Sequence, residues 1–420
     1  MISRRKLVIS GAAALAGAPL AAGPSLLGAL SSTAPATGPT TGPVPYKPVV
    51  TPNGATLPFT LDNGVKVFHL GAEPVKREFA PGMIVDCWGY NGLTPGPTIE
   101  AIEGDRVRLF VTNKLPEPTT VHWHGLIVPN GMDGVTGLTQ PHIAPGETFV
   151  YEFTLRQNGT YMYHPHSDEM TQMALGMQGF FVIHPKNPAP DYYADRDFCI
   201  FLQEWFISPG TSRPNPMIMT DFNLFTFNSR VWPGTDALVA KLNDRVRIRY
   251  ANLSMDNHPI HFHGHRGWIT GTDGGRIPAS ARMPAVTVDV PPGSTRDLEF
   301  VADNSGDWPV HCHKNHHAMN AMSHDVPNVI GMDGAGVTRR IDGLVPGYMS
   351  MGEKGMGGMT EMRMPLPKNT LPMMTGTGPF GAIGMGGMFT ILKVREGITG
   401  YEDPGWYKQP EGTGARKVSS

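Results

Sequence analysis

The stretch HCHKNHHAMNAM, residues 311–322, crowds His311, Cys312, His313, His316, His317, Met319 and Met322 into one short run. Three further motifs hold paired histidines. These are HWHG (His122, His124), HPH (His164, His166) and HPIHFHGH (His258, His261, His263, His265). In a strand, alternate residues face opposite sides, so an H-x-H pair points both rings one way, roughly 7 Å apart. That separation suits one ligand on each of two neighbouring metals better than two ligands on one. In His311-Cys312-His313 the two histidines share a face and Cys312 takes the other, so one strand can touch two metal sites. A thiolate, two imidazoles and a weak thioether suit copper in an electron-transfer site, and an imidazole-only cluster suits copper as well. Zinc is the structural alternative, but it takes four ligands around one ion, and the paired motifs exceed that. A single H-x-H is most simply a pair of surface or core histidines. Four pairs in matching places are not.

The elements that must hold these motifs read as strands. Val107, Leu109 and Val111 alternate with Arg106, Arg108 and Phe110, the pattern of a half-buried strand. GETFVYEFTLRQNGTYMYHPH alternates again. DRVRLFVTNK of the first half then returns as DRVRIRYANL, and APGETFVYEFTLRQNGTYMYHPH as PPGSTRDLEFVADNSGDWPVHCH, with a period of about 140 residues. Such a repeat implies two copies of one β-sandwich. The expected fold is all-β, two Greek-key sandwich domains at 46–186 and 187–330, followed by a Met/Gly-rich extension at 331–420. Within that extension GGMFTILKV looks like a closing strand.

Composition sets outer limits. The chain has 420 residues, a formal net charge of −2, 51 glycines and 40 prolines. The charge balance gives no reason to expect nucleic acid or an anionic membrane as partner, and the turn-rich composition favours short strands. Three cysteines, Cys87, Cys199 and Cys312, are too few for a disulfide scaffold, and at most one pair could form. Residues 1–45 read as an address and a linker. Arg4 and Arg5 precede an Ala/Gly-rich apolar stretch that resembles a twin-arginine export signal, and a Pro/Thr/Gly-rich segment follows. Pro19 and Pro24 make that stretch a poor membrane span.

Taken together and in order, HWHG, HPH, HPIHFHG and HCHKNHHAMNAM resemble the four copper motifs of the multicopper oxidases. The resemblance implies cupredoxin domains and four coppers. Type 1 copper would take His258, Cys312, His317 and axial Met322. Type 2 copper would take His122 and His261. The type 3 pair would take His124, His164, His166, His263, His311 and His313. The family's spacing selects His317 over His316, and Met322 over Met319. It also implies the chemistry: a reducing substrate gives single electrons to type 1 copper, and four of them convert dioxygen to water at the three-copper cluster. Asp133 falls where the family carries an acidic proton relay. The family's second carboxylate, after the type 1 histidine, is replaced by Ala318, which leaves Asp168 and Glu169 as candidates for that role.

The interval between HPH and HPIHFHG is used up by strands of the next domain, RDFCIFLQEWFI and NLFTFNSRVW. There is no room for a third cupredoxin domain, so the chain resembles the two-domain, small-laccase type. Those proteins assemble as homotrimers in which the first domain of one subunit meets the second domain of the next. Met349, Met351, Met356, Met359, Met362, Met364, Met373, Met374, Met385 and Met388 crowd the extension. They read equally as a Cu(I)-binding lid or as adaptable wrapping, with Met385 or Met388 as rivals of Met322. Met170, Met173 and Met177 have helical spacing and are expected to pack in the core. Candidate functions are oxidation of Cu(I) in copper tolerance outside the cytoplasm, laccase action on phenols and aromatic amines, and nitrite reduction by a two-domain copper protein.

Overall fold

The computed structural model describes residues 46–320 and 367–418, together with 340, 343 and 344. The chain divides into Met1–Ala36 and Thr37–Ser420, and the described residues all belong to the second unit. The export-signal reading, most of the linker, Met322 and the methionines from 349 to 364 lie outside the described residues.

Two sandwiches follow one another. In the first, a sheet ordered Phe59–Asp62, Val65–Ala80, Arg106–Asn113, Thr148–Thr154, with Met83–Tyr90 on the side of Val65–Ala80, faces a sheet ordered Gly96–Ile102, Gly179–His184, Gly159–His164, His122–His124. Phe68 and Leu109 from one side meet Ile99, Trp123 and Phe181 from the other in a single core. The second sandwich repeats the plan. One sheet runs Leu224–Phe227, Arg196–Trp205, Arg245–Asn252, Ser294–Val301, Gly267–Thr272, Gly275–Arg276, with Met283–Ala285 beside Gly267–Thr272. The other runs Leu238–Lys241, Phe389–Arg395, Gly306–Cys312, His258–Phe262, Thr287–Val290. The repeat seen in the sequence is also a repeat of register. Lys66–Ala72 lies parallel to Val107–Asn113 as Arg196–Leu202 lies parallel to Val246–Asn252.

Alternation works as the pattern requires. Arg106–Asn113 buries Val107, Leu109, Val111 and Asn113 and turns its arginines outward. Phe389–Arg395 completes the second sandwich by pairing with Gly306–Cys312 on one side and Leu238–Lys241 on the other. Every residue of that strand is buried, and Met388 just before it is buried in the same core as Cys312. GGMFTILKV is thus the closing strand its sequence suggested, and Met388 sits where the chain re-enters the sheet opposite Cys312, whose amide donates to the Met388 carbonyl at 3.1 Å.

The sandwiches are joined by buried charge. Arg249 donates from Nε and Nη2 to the two oxygens of Asp197, both at 2.8 Å, and from Nη1 to the hydroxyl of Thr160 at 2.7 Å. Thr160 belongs to the first sandwich and donates in turn to Asp297 of the second at 2.7 Å. Burial alone would raise the Asp197 carboxyl, but Arg249 and Arg247 together hold it well below its ordinary range. Cys87, Cys199 and Cys312 are all buried free thiols, so no disulfide contributes.

Candidate metal centres

Three donors meet at the top of the second sandwich. His258 opens its strand, Cys312 ends the neighbouring one, and His317 lies in the short helical turn Asn315–Ala318. His258 Nδ1 and His317 Nδ1 are 3.0 Å apart, and Cys312 Sγ lies 3.9 Å from the first and 3.4 Å from the second. All three residues are buried. The geometry depends on the returning strand. The amide of Met388 donates to the His317 carbonyl at 2.9 Å, and those of Gly386 and Gly387 donate to Ala318 at 2.9 and 3.2 Å. Gly387 must be glycine here, because a Cβ would fall 2.3 Å from the His317 carbonyl oxygen.

Burial pushes the Cys312 thiol up to about 12 and His258 down to about 3. Without metal the site is therefore a neutral thiol beside a neutral imidazole, and binding a cation must release the thiol proton. Two imidazole nitrogens and one thiolate in a buried triangle fit copper in an electron-transfer site. His316, read as a neighbour, packs edge-on against His317 and Phe225 and groups with Asp256 rather than with Cys312.

The eight other candidate ligand histidines form two quartets. His122, His124, His164 and His166 cluster at the end of the first sandwich, with ring centroids 5.3 to 6.3 Å apart. His261, His263, His311 and His313 cluster on the second, with centroids 4.7 to 5.7 Å apart. Among the described residues no ring contact joins one quartet to the other. Trp123 and Phe262, between paired histidines, point into the cores instead.

Backbone carbonyls decide which nitrogen each ring presents. Nδ1 of His122 donates to Asp133 at 2.8 Å, His164 to Pro165 at 2.9 Å, His261 to Val286 at 2.7 Å and His311 to Cys312 at 2.9 Å. Each bond occupies Nδ1 and leaves Nε2 as the nitrogen available to a metal. His124 is reversed. Its Nε2 donates to Gly293 at 3.0 Å, and its Nδ1 lies 3.3 Å from His164 Nε2. Across the other quartet His263 Nε2 and His311 Nε2 are likewise 3.3 Å apart. Burial pushes His164 down to about 3 and His311 to about 4. Imidazoles held neutral in close pairs fit metal ions of the borderline class to which copper belongs.

Asp133 is placed by its neighbour Gly134. That residue has φ +84°, and a Cβ on it would lie 1.8 Å from the Val121 carbonyl. The close approach lays the Asp133 carbonyl on His122 and brings its carboxylate to 3.4 Å from the same ring. Glu169 lies 3.6 Å from both His164 and His166, whereas Asp168 serves as the N-cap residue of the short helix, in a left-handed conformation.

Two residues were missed by the sequence reading. Ser254 Oγ lies 2.9 Å from His258 Nε2, and the Glu204 carboxylate lies 3.4 Å from the same nitrogen. Burial, then the nearby Asp256, pushes Glu204 up to about 8. The signal was available: Glu204 is a carboxylate inside the apolar run RDFCIFLQEWFI. The helical methionines also need correction. Met177 is in the core, but Met170 is 45% exposed, and Met170 and Met173 line a cavity instead. A six-residue helix has too little face to bury all three.

Known proteins match this arrangement. Two multicopper oxidase family models match residues 72–188 and 208–331, more than half of the chain together. The chain belongs to the multicopper oxidases. Copper resistance protein A of Escherichia coli is 45% identical over 115 residues, covering 27% of this chain and 18% of that protein. A probable nitrite reductase-hydroxylamine oxidoreductase fusion protein of Kuenenia stuttgartiensis is 28% identical over 274 residues, 62% of this chain and 31% of its own. The blue copper oxidase of Nitrosomonas europaea has the same fold, with TM-score 0.59 and 26% identity over 78% of this chain and 85% of that one. The chain spans less than half the length of these two curated relatives.

Proposed function

We propose that this protein is an oxidase that takes single electrons from a phenol, an aromatic amine or Cu(I) and delivers them to dioxygen, forming water. The observation that carries the reading is one strand, Gly306–Cys312, with the residue after it. Cys312 belongs to the buried triangle with His258 and His317, while His311 and His313 on either side belong to a four-histidine set. Copper bound at these places supplies a one-electron acceptor in the triangle and a multi-electron centre for dioxygen among the histidines. The chain's own part is to hold Cys312 and His311 in adjacent peptides and to fix each ring by a carbonyl. It also offers the His258 edge toward substrate through Ser254.

In this reading His258, Cys312 and His317, with Met322 as the axial thioether, hold type 1 copper. His122 and His261 hold type 2. His124, His164, His166, His263, His311 and His313 hold the type 3 pair, four coppers in all. Among the described residues no ring contact links the two quartets of one copy, which supports a closed homotrimer whose centres form between subunits. Exposed Leu138 and Ile127 on the first sandwich and Met283 and Val286 on the second are apolar surfaces of the kind such contacts cover. Asp133 is proposed to relay protons beside His122, and the N-terminal twin arginine to direct export to the periplasm or the extracellular space, where copper tolerance would be served. No helix among the described residues is long and apolar enough to cross a membrane.

The test is oxygen uptake by copper-loaded, signal-free protein, given Cu(I) in one arm and a methoxyphenol in the other. Uptake in either arm is expected. A protein holding its coppers and consuming no oxygen in both arms would overturn the reading. Nitrite reduction under anaerobic conditions tests the alternative, which a likeness to the Kuenenia protein raises and which has no need for eight clustered histidines.

A further inference from the structure

A cavity of about 510 Å³ opens where the segment joining the two sandwiches passes the strands Gly267–Thr272 and Ser294–Val301. Its volume falls in the range of ligand pockets, about 300–1,000 Å³. It shares no residue with the candidate metal centres.

Trp268 and Arg266 form one wall. Trp268 sits opposite Glu299 and Pro284, while Ile269 after it packs on the second core. Alternation therefore turns the indole outward, and it stays 41% exposed. So large an apolar surface in a regular strand costs free energy unless something covers it. The Arg266 guanidinium lies over the ring, 5.5 Å from its centroid. Stacking uses the face of a guanidinium and leaves its N–H edge available to a carboxylate. Among the described residues the Arg266 side chain makes no hydrogen bond or ion pair. Met283, opposite Ile269, points to the other side of the sheet, so that part of the surface assigned above to subunit contacts lies elsewhere.

The charges around this wall are unevenly matched. Arg245 adds a second guanidinium, which reaches Glu299 only at 3.9 Å. Glu299 is already neutralised by Arg247 at 2.8 Å and Arg276 at 2.7 Å. Positive charge is thus in excess at Arg245 and Arg266. The Asp303 carboxylate also lines the cavity and accepts no hydrogen bond among the described residues. An inorganic anion would satisfy Arg266 and leave the indole bare. A flat aromatic acid would cover the indole but bring no donor for Asp303, whose charge would repel it. A sugar acid supplies all three groups: an apolar C–H face, a carboxylate and hydroxyl donors.

We propose that this cavity binds a uronate unit of an acidic polysaccharide, with the sugar face on Trp268, its carboxylate on Arg266 and a hydroxyl on Asp303. Arg245 adds long-range attraction for the charged chain. Binding of this kind holds the protein on a polyanionic matrix.

The experiment uses the copper-loaded full chain, titrated calorimetrically with trigalacturonate, maltotriose and benzoate. Saturable binding of trigalacturonate is expected, with maltotriose and benzoate weaker by about tenfold or more. Arg266→Gln should bring trigalacturonate down to the level of maltotriose. Trp268→Ala should raise its Kd about tenfold or more, while Trp268→Phe, which keeps an aromatic face, should retain most of the affinity. Oxygen uptake and the visible spectrum of all three variants should match those of the unchanged chain. Absence of trigalacturonate binding would overturn the proposal, and so would binding that Arg266→Gln and Trp268→Ala both retain. Benzoate binding as tightly as trigalacturonate would overturn it in favour of an aromatic acid.

Discussion

Dividing the two quartets between different chains should abolish activity and then restore it by mixing. His122→Ala with His124→Ala removes half of the first quartet, and His311→Ala with His313→Ala removes half of the second. Ring contacts run within each quartet and none links the two among the described residues. Each variant alone should therefore be inactive. In a closed ring of copies, every centre takes one quartet from each of two neighbours. A mixed assembly has a whole centre only where an intact first quartet meets an intact second. Random co-assembly in equal amounts gives this at about one junction in four. Selecting assemblies that carry a tag from each variant raises the share to about one third for a trimer and about one half for a dimer. The assay is oxygen uptake per chain on co-expressed, doubly tagged protein, with sedimentation giving the copy number. Doubly tagged assemblies with no activity would refute the argument, because both quartets would then have to come from one copy.

Two further outcomes follow from particular contacts. Arg249→Met leaves the buried Asp197 carboxylate to Arg247 alone and should destabilise the fold by about 1–3 kcal/mol, read by denaturant unfolding. Asp197 has a folded pKa below its unfolded value of about 3.9, so its contribution is fully present above that unfolded value and is lost as pH falls from there through the lower folded one. Acid unfolding of the variant should accordingly begin at a higher pH than that of the native chain. Asp133→Asn should keep its copper, since the main-chain carbonyl and not the carboxylate receives the His122 proton. It should lower kcat by about 10²-fold with a changed pH profile if the carboxylate moves protons. Copper loss in this variant would point to a ligand-positioning role.

The sandwich architecture was legible because alternation and an internal repeat are properties of short segments. Val107 and Leu109 declare their side of the sheet whatever lies opposite. The metal motifs were legible for a different reason: clustered histidines around a cysteine have few uses. What could not be read depends on how distant segments meet. Met170 and Met173 occupy the right face of a helix for burial, but the facing wall is a cavity. GGMFTILKV was legible as a closing strand, but that its Met388 packs in the same core as Cys312 was not. The separation of the two quartets was expected only from the resemblance to the two-domain oxidases, since HWHG and HPH themselves carry no information about how one sandwich is mounted on the other. Glu204 could be noticed as a carboxylate in an apolar run, but its role could not be read until His258 is seen beside it.

The anchoring of His317 has a consequence for how this protein can change over time. The chain leaves the buried triangle at Asn320, whose amide donates to Met373, and returns through Gly386 and Gly387, whose amides donate to Ala318. Both ends of the intervening stretch are thus stapled to the same patch of backbone. Bringing two points of a chain together costs only about 0.6 kcal/mol more for each doubling of the length between them. Sequence can accumulate, shorten or be exchanged between these staples with little effect on the geometry of Cys312 and His317. A lineage is free to experiment there with new substrate-handling segments while the electron-transfer site stays as it is.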